Sequence, residues 1–193
     1  MLKRKIDRTE FYEKLYSRDP QTGAYVIEIS LDNYLELFNE WDPAPYKIRD
    51  LDPDLLDYLE LSSYEIPLRF PVKICFKAPL RIKDSNIEEQ VLKGFNSFFN
   101  YEQALICKEL SRSSREIAID TVTAIVFLSL AVILGRNMSN TLFTQVLMEG
   151  MFVGGWVFLW ESISTFFFKR SELKKNLSEY LRLSEAETVF AYE

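Results

Sequence analysis

Residues Ile117–Gly135 read IAIDTVTAIVFLSLAVILG, and residues Leu142–Phe168 read LFTQVLMEGMFVGGWVFLWESISTFFF. At 1.5 Å per helical residue these stretches are about 28 Å and about 40 Å long, enough for each to cross a hydrocarbon core. Between them lies the polar run Arg136-Asn137-Met138-Ser139-Asn140-Thr141. The pattern predicts two antiparallel apolar helices joined by a tight turn. Four charges, Asp120, Arg136, Glu149 and Glu161, fall within residues 117–168, while the remainder of the 193-residue chain is densely charged. A uniform soluble domain does not segregate charge in this way. The competing reading is a pair of helices buried in a large soluble assembly.

Orientation follows from the basic residues. Lys108, Arg112 and Arg115 precede the first apolar stretch, and Lys169, Arg170, Lys174 and Lys175 follow the second, against Arg136 alone in the turn. The positive-inside rule then predicts both termini in the cytoplasm and the turn outside, in a cell (inner) membrane. Asn137-Met138-Ser139 matches a glycosylation acceptor, read as chance so close to the bilayer. Met1–Asp7 is basic but has no apolar run behind it, so a secretory signal is not expected.

Composition excludes several chemistries. The chain has no histidine, which removes His-based triads, His metal ligands and His pH switches. Its two cysteines, Cys75 and Cys107, form no CxxC pair, so structural zinc is not expected. No Gly-rich phosphate loop or G-x-S-x-G elbow is present. The net charge is −6, and residues 28–65 hold eleven carboxylates against Lys47 and Arg49. Nucleic acid is therefore an unsuitable partner, whereas a basic protein partner suits this acidic face. Asp50, Asp52 and Asp54 have the opening spacing of a calcium loop but lack its glycine and closing glutamate. Helix capping explains them better. No catalytic, cofactor or metal residue is assigned.

Helical phase sorts the apolar stretches. Gly150, Gly154 and Glu161 share a stripe, and Gly150-Met151-Phe152-Val153-Gly154 is a GxxxG that lets another helix approach closely. Glu149 lies on a separate stripe with Trp156 and Trp160, while Asp120 shares a face with Ala124, Phe127 and Ala131. Counting outward from the turn sets Glu161 level with Arg115, which predicts an ion pair. The three acids read either as paired or protonated carboxyls that lock packing or as a carboxylate ring in an oligomer.

Outside the apolar stretches the expected fold is α+β. Ala24–Ser30 and Val72–Lys77 alternate as strands. Asp32 is expected to cap a short helix reaching Phe38 or Glu40. Asp52-Pro53-Asp54 starts a helix with Asp52 as N-cap. A long helix opens at Asp84 or Ser85 with Ile87, Val91, Phe95, Phe98 and Phe99 inward, and continues, with a break, into the first apolar helix. Residues 169–183 read as an amphipathic helix, and Glu187–Tyr192 as a last strand joining the sheet. The expected organisation is a cytosolic α+β domain at 1–116, a transmembrane helical hairpin at 117–168, and a returning helix and strand at 169–193.

Two motifs carry a resemblance. Phe38-Asn39-Glu40-Trp41-Asp42-Pro43-Ala44-Pro45-Tyr46 with Arg49-Asp50-Leu51-Asp52-Pro53-Asp54-Leu55, and Glu149-Gly150 with Gly154-Gly155-Trp156-Val157-Phe158-Leu159-Trp160-Glu161, resemble a family of small, functionally uncharacterised prokaryotic proteins with two transmembrane helices. The resemblance implies location and architecture but no activity. Trp41, Asp42, Arg49, Asp50 and Asp52 are the motif positions singled out. The expected function is a non-enzymatic integral membrane protein. Its sensor or adaptor domain is coupled to an oligomerising hairpin, in contact with membrane lipid and with copies of itself, for which pore formation or conduction is the further reading. The alternative is a membrane-tethered, metal-assisted enzyme built on the carboxylates near Trp41–Asp54.

Overall fold

The computed structural model describes residues 8–137 and 141–193. The basic stretch Met1–Asp7 and the turn residues Met138, Ser139 and Asn140, with the glycosylation match they complete, lie outside the described residues. The chain forms two compact units, Met1–Ala104 with Leu177–Glu193, and Leu105–Asn176. The sequence set its boundaries where charge ends, at residues 116 and 168. Helices run through both positions, so the units divide further from the apolar stretches.

The first unit is built on a small mixed sheet. Its strands are β1 (Ser17–Arg18), β2 (Tyr25–Ser30), β3 (Val72–Ala78) and β4 (Glu187–Tyr192), in that spatial order. β1 is antiparallel to β2, whereas β2, β3 and β4 run parallel. Gly23 adopts a positive φ of 71° in the β1–β2 turn, a conformation that suits glycine. In β3, Val72, Ile74, Phe76 and Ala78 are buried, alternating with half-exposed Lys73, Cys75 and Lys77. Period-two alternation puts the apolar set on one face. On the other face Lys73 bridges Asp19 and Glu187, each at 3.0 Å, and Lys77 pairs with Glu28 at 2.7 Å.

Helices cover the apolar face. α1 (Arg8–Leu15) contributes the buried Tyr12, whose ring meets Tyr25 edge-on at 5.2 Å. α2 (Pro53–Glu65) begins as expected, with the Asp52 carboxylate accepting from the amides of Asp54 and Leu55. α3 (Ser85–Asn137) is one continuous helix of 53 residues, about 80 Å long, without the expected break. Its start is fixed by Asp84, whose side chain accepts from the amides of Asn86 and Ile87. Val91, Phe95 and Phe99 of α3 join Leu183 of α5 (Arg170–Ser184) in the core. The expected Asp32-capped helix is a single 3-10 turn at Tyr34–Leu37, capped instead by Asn33.

The connection from β3 to its neighbour β4 contains α3, the apolar hairpin and α5. The hairpin is thus an excursion inside a crossover between two adjacent parallel strands.

Without histidine, and with many tyrosines, half-buried carboxylates find phenol donors. Tyr16 Oη donates to Glu65 at 2.7 Å, Tyr180 Oη to Glu60, and Tyr192 Oη to Glu88. Tyr34 Oη lies 2.7 Å from Tyr192 Oη, which ties β4 to the Tyr34–Leu37 turn, while the Tyr192–Glu88 bond ties β4 to the start of α3. Burial first, then the neighbouring carboxylate, pushes the Tyr16 phenol up to about 12; the same causes hold Tyr180 and Tyr192 higher still. A phenol raised in the fold stabilises it fully below its ordinary value near 10. That stability is lost as pH rises through the folded value. Between about pH 10 and pH 12, wild-type protein should lose stability more steeply than the triple variant Tyr16→Phe, Tyr180→Phe, Tyr192→Phe. Lys73 and Lys77, held above their usual range mainly by hydrogen bonds to Asp19 and Glu28, are common to both proteins and cancel in the difference. Denaturant midpoints across that range measure the slopes. Equal slopes would mean that these phenols do not couple to folding.

Candidate functional site: an apolar hairpin and a tryptophan-bearing loop

The second unit is a pair of antiparallel helices. The outer part of α3 packs on α4 (Leu142–Ser164), which Thr141 opens through a capping box with Thr144. Both are long and apolar enough to span a membrane, and 11% of the most apolar window in each is buried. Val122, Ile125, Val126 and Ile133 on α3, and Val146, Val153 and Val157 on α4, point outward. The helices of a soluble core bury such side chains; these do not.

The seam between the helices is narrow and built from small residues. Thr121 Oγ1 lies 2.7 Å from Ser162 Oγ, and the Ser162 hydroxyl also donates to the Ile117 carbonyl at 3.3 Å. Ala124 and Ala131 are buried, and so is Gly155. A Cβ on Gly155 would sit 2.7 Å from Leu128 Cγ and 3.3 Å from the Ala124 carbonyl oxygen. On Gly154 it would meet the Phe127 ring at 3.1 Å, but on Gly150 it would meet nothing within 4 Å. The expected glycine stripe therefore divides. Gly155, which the sequence reading named beside the GxxxG but did not place on the stripe, makes the close approach, Gly154 accepts an aromatic ring, and Gly150 faces outward. Gly150 borders an apolar groove of about 270 Å³ with Phe127, Phe143, Val146, Leu147 and Met151.

The register also corrects the expected ion pair. The Thr121–Ser162 bond sets Glu161 level with Val122, not Arg115, and no ion pair joins Arg115 to Glu161 among the described residues. Counting from the turn failed because the two helix ends are not level there. Asp120 and Glu161 instead stand at similar depth, each one residue before a member of that hydroxyl pair. Asp120 is half-buried, whereas Glu149, Glu161, Trp156 and Trp160 face outward.

Below this layer the helix widens. Thr165–Lys169 forms a π turn between α4 and α5, so residues 142–184 make one helical run and not two separate helices. An added residue per turn re-aims the side chains that follow. Lys169 then reaches Glu116 at 3.3 Å and Arg170 reaches Ser114 at 2.9 Å. Lys169 and Arg112 hold the Glu116 carboxyl below the usual carboxylate range.

The other motif is a loop in the first unit, and hydrogen bonds account for most of its residues. Arg49 donates from Nε and Nη2 to the Asn39 carbonyl at 3.1 and 2.9 Å. Asn39 Oδ1 accepts from the Trp41 amide, and Asp42 accepts from the amides of Ala44 and Asp50, each at 2.9 Å. Those two amides hold the Asp42 carboxyl low, that of Asp50 contributing most. Asp52 is the cap of α2. The Asp52 carboxylate is committed to that cap, and among the described residues no group of three or more Cys, Asp or Glu is placed to hold a metal. Trp41 is the exception: its side chain is 91% exposed at the tip of this tied loop.

No family model, curated protein or solved structure matches this chain.

Proposed function

We propose that this chain is a non-enzymatic integral membrane protein. An α+β adaptor or sensor domain sits in the cytosol, and a transmembrane helical hairpin anchors it and associates with copies of itself. The observation that carries the reading is the outward apolar surface on both long helices, little of which the chain itself covers. Hydrocarbon is the solvent that such a surface suits. β3 precedes the hairpin and β4 follows it, yet they pair in one sheet, which favours an even number of crossings. With the basic flanks, this supports both termini in the cytoplasm of a cell (inner) membrane.

Self-association follows from the acids. A carboxylate at the bilayer centre costs roughly 2.5–3.5 kcal/mol on insertion scales, and Glu149 and Glu161 point away from their own partner helix. A neighbouring hairpin seated on the open Gly150 side would cover Glu161, which lies on the same helical stripe, and a cluster of such acids is the basis for conduction or permeabilisation.

The test is labelling. A cysteine introduced at Ser139, in a background lacking Cys75 and Cys107, should react with an impermeant thiol reagent added outside intact cells. Labelling only after membrane disruption would sink the topology. In nanodiscs, Gly150→Leu should lower the assembled mass while leaving the hairpin intact. An unchanged mass would remove self-association through this side.

A further inference from the structure

We propose that Trp41 and the groove beside its loop form a docking surface for a cationic segment of a partner protein, with Lys or Arg flanking a bulky apolar residue. This rests on reading the first unit as an adaptor domain, and names what it adapts to.

Trp41 is exposed by construction. The Arg49 fork on the Asn39 carbonyl and the Asn39 and Asp42 turns hold its backbone, so the indole projects from an ordered loop. An amphipathic ring offered at low entropic cost is the usual anchor of an interface. Directly behind the loop, Ile48, Arg49, Asp50, Gly94, Phe98 and Tyr101 border an open groove of about 420 Å³. Ile48 and Tyr101 are themselves largely exposed, so the groove offers apolar surface of its own, joined to the Trp41 loop through Arg49 and Asp50.

Charge selects the occupant. Glu40, Asp42, Asp50, Asp54 and Asp57 belong to the same stretch, whose basic residues are Lys47 and Arg49. Arg49 turns its guanidinium inward onto backbone carbonyls, so Asp50 is the outward charge of the groove's lining, beside exposed Lys47. Half-buried Glu102 feels the same crowding: burial first, then Asp50 and Glu60, pushes its carboxyl up. A cation placed here would relieve that repulsion, whereas anionic lipid and nucleic acid would add to it. An apolar residue beside Trp41 with a Lys or Arg toward Asp50 satisfies both features.

The experiment uses the full chain in zwitterionic nanodiscs, panned against phage displaying random short peptides, with empty nanodiscs to subtract lipid binders. Enriched peptides should combine Lys or Arg with an aromatic or leucine. Their binding should weaken at least about tenfold in Trp41→Ala, weaken also in Asp50→Lys, and fall with added salt. Both side chains are exposed, so neither change threatens the fold. No enrichment, acidic or uncharged winners, or indifference to Trp41→Ala would overturn the proposal. A membrane occupant is separated by acrylamide quenching in a Trp156→Phe, Trp160→Phe background, where Trp41 is the sole tryptophan. In nanodiscs containing anionic lipid the indole should stay quenchable; shielding would overturn the proposal in favour of lipid. Assembly mass on the same sample reports the membrane reading separately, so a docking failure with intact assembly refutes docking alone.

Discussion

Gly94→Ala should unfold the sheet-bearing unit at markedly lower temperature, although alanine is the better helix former. In an exposed helix interior the exchange would gain about 1 kcal/mol. At Gly94 the added Cβ would lie 2.0 Å from the Tyr46 carbonyl oxygen and 3.3 Å from the Phe38 ring. The first obstacle is backbone and cannot rotate away. Overpacking of this kind costs about 1–3 kcal/mol and sometimes more, and a backbone clash belongs at the upper end. The steric cost exceeds the propensity gain, leaving a net loss of about 2 kcal/mol, equivalent to a fall of roughly 4–8 °C for a chain of 193 residues. Thermal unfolding of the full chain in detergent, followed by circular dichroism, measures it. An unchanged or raised midpoint would mean that the Tyr46 segment yields freely. The Trp41 loop would then be far less fixed than its hydrogen bonds suggest.

Gly155→Leu should separate the two apolar helices. The glycine stands where Leu128 and the Ala124 carbonyl leave no room for a side chain. Nor does lipid supply a compensating hydrophobic force, because helices associate there chiefly through close contact. A suitable reporter is a disulfide between Thr121→Cys and Ser162→Cys, whose parent hydroxyl oxygens are 2.7 Å apart. In a background lacking Cys75 and Cys107, Gly155→Leu should slow this crosslink by about five- to 150-fold, the range that a loss of about 1–3 kcal/mol in packing implies. Gly150→Leu should leave it unchanged, because nothing lies near that position within the hairpin. Equal effects from both would show that the seam runs elsewhere.

These glycines mark where sequence reading runs out. The apolar lengths, the Asp52 cap and the last strand at Glu187–Tyr192 are local patterns, and the structure contains each of them. Angular phase along one helix places residues on stripes but does not say which stripe meets the partner. Gly154 and Gly155 are adjacent, and the Leu128 and Ala124 contacts are what single out Gly155. Depth was misjudged for the same reason, since the Thr121–Ser162 bond and not the turn sets the level of Glu161. The phenol–carboxylate bonds were invisible because Tyr180 and Glu60 lie far apart in sequence. In the Trp41 loop, the type of each residue was informative but its direction was not. Nothing in the sequence says that Arg49 turns onto a carbonyl and leaves the indole bare.

Because β4 is the final strand and pairs with β3 across the hairpin, the order of synthesis matters. The ribosome releases β4 only after both apolar helices have emerged, so, in the membrane topology proposed above, the sheet stays one strand short while the hairpin inserts. In that proposed topology a chain whose second helix failed to return would leave β4 on the wrong face of the bilayer, with the β3 edge bare. Unpaired strand edges are where aggregation and proteolysis begin. An insertion error is thereby converted into a folding error, a form that cellular quality control can remove.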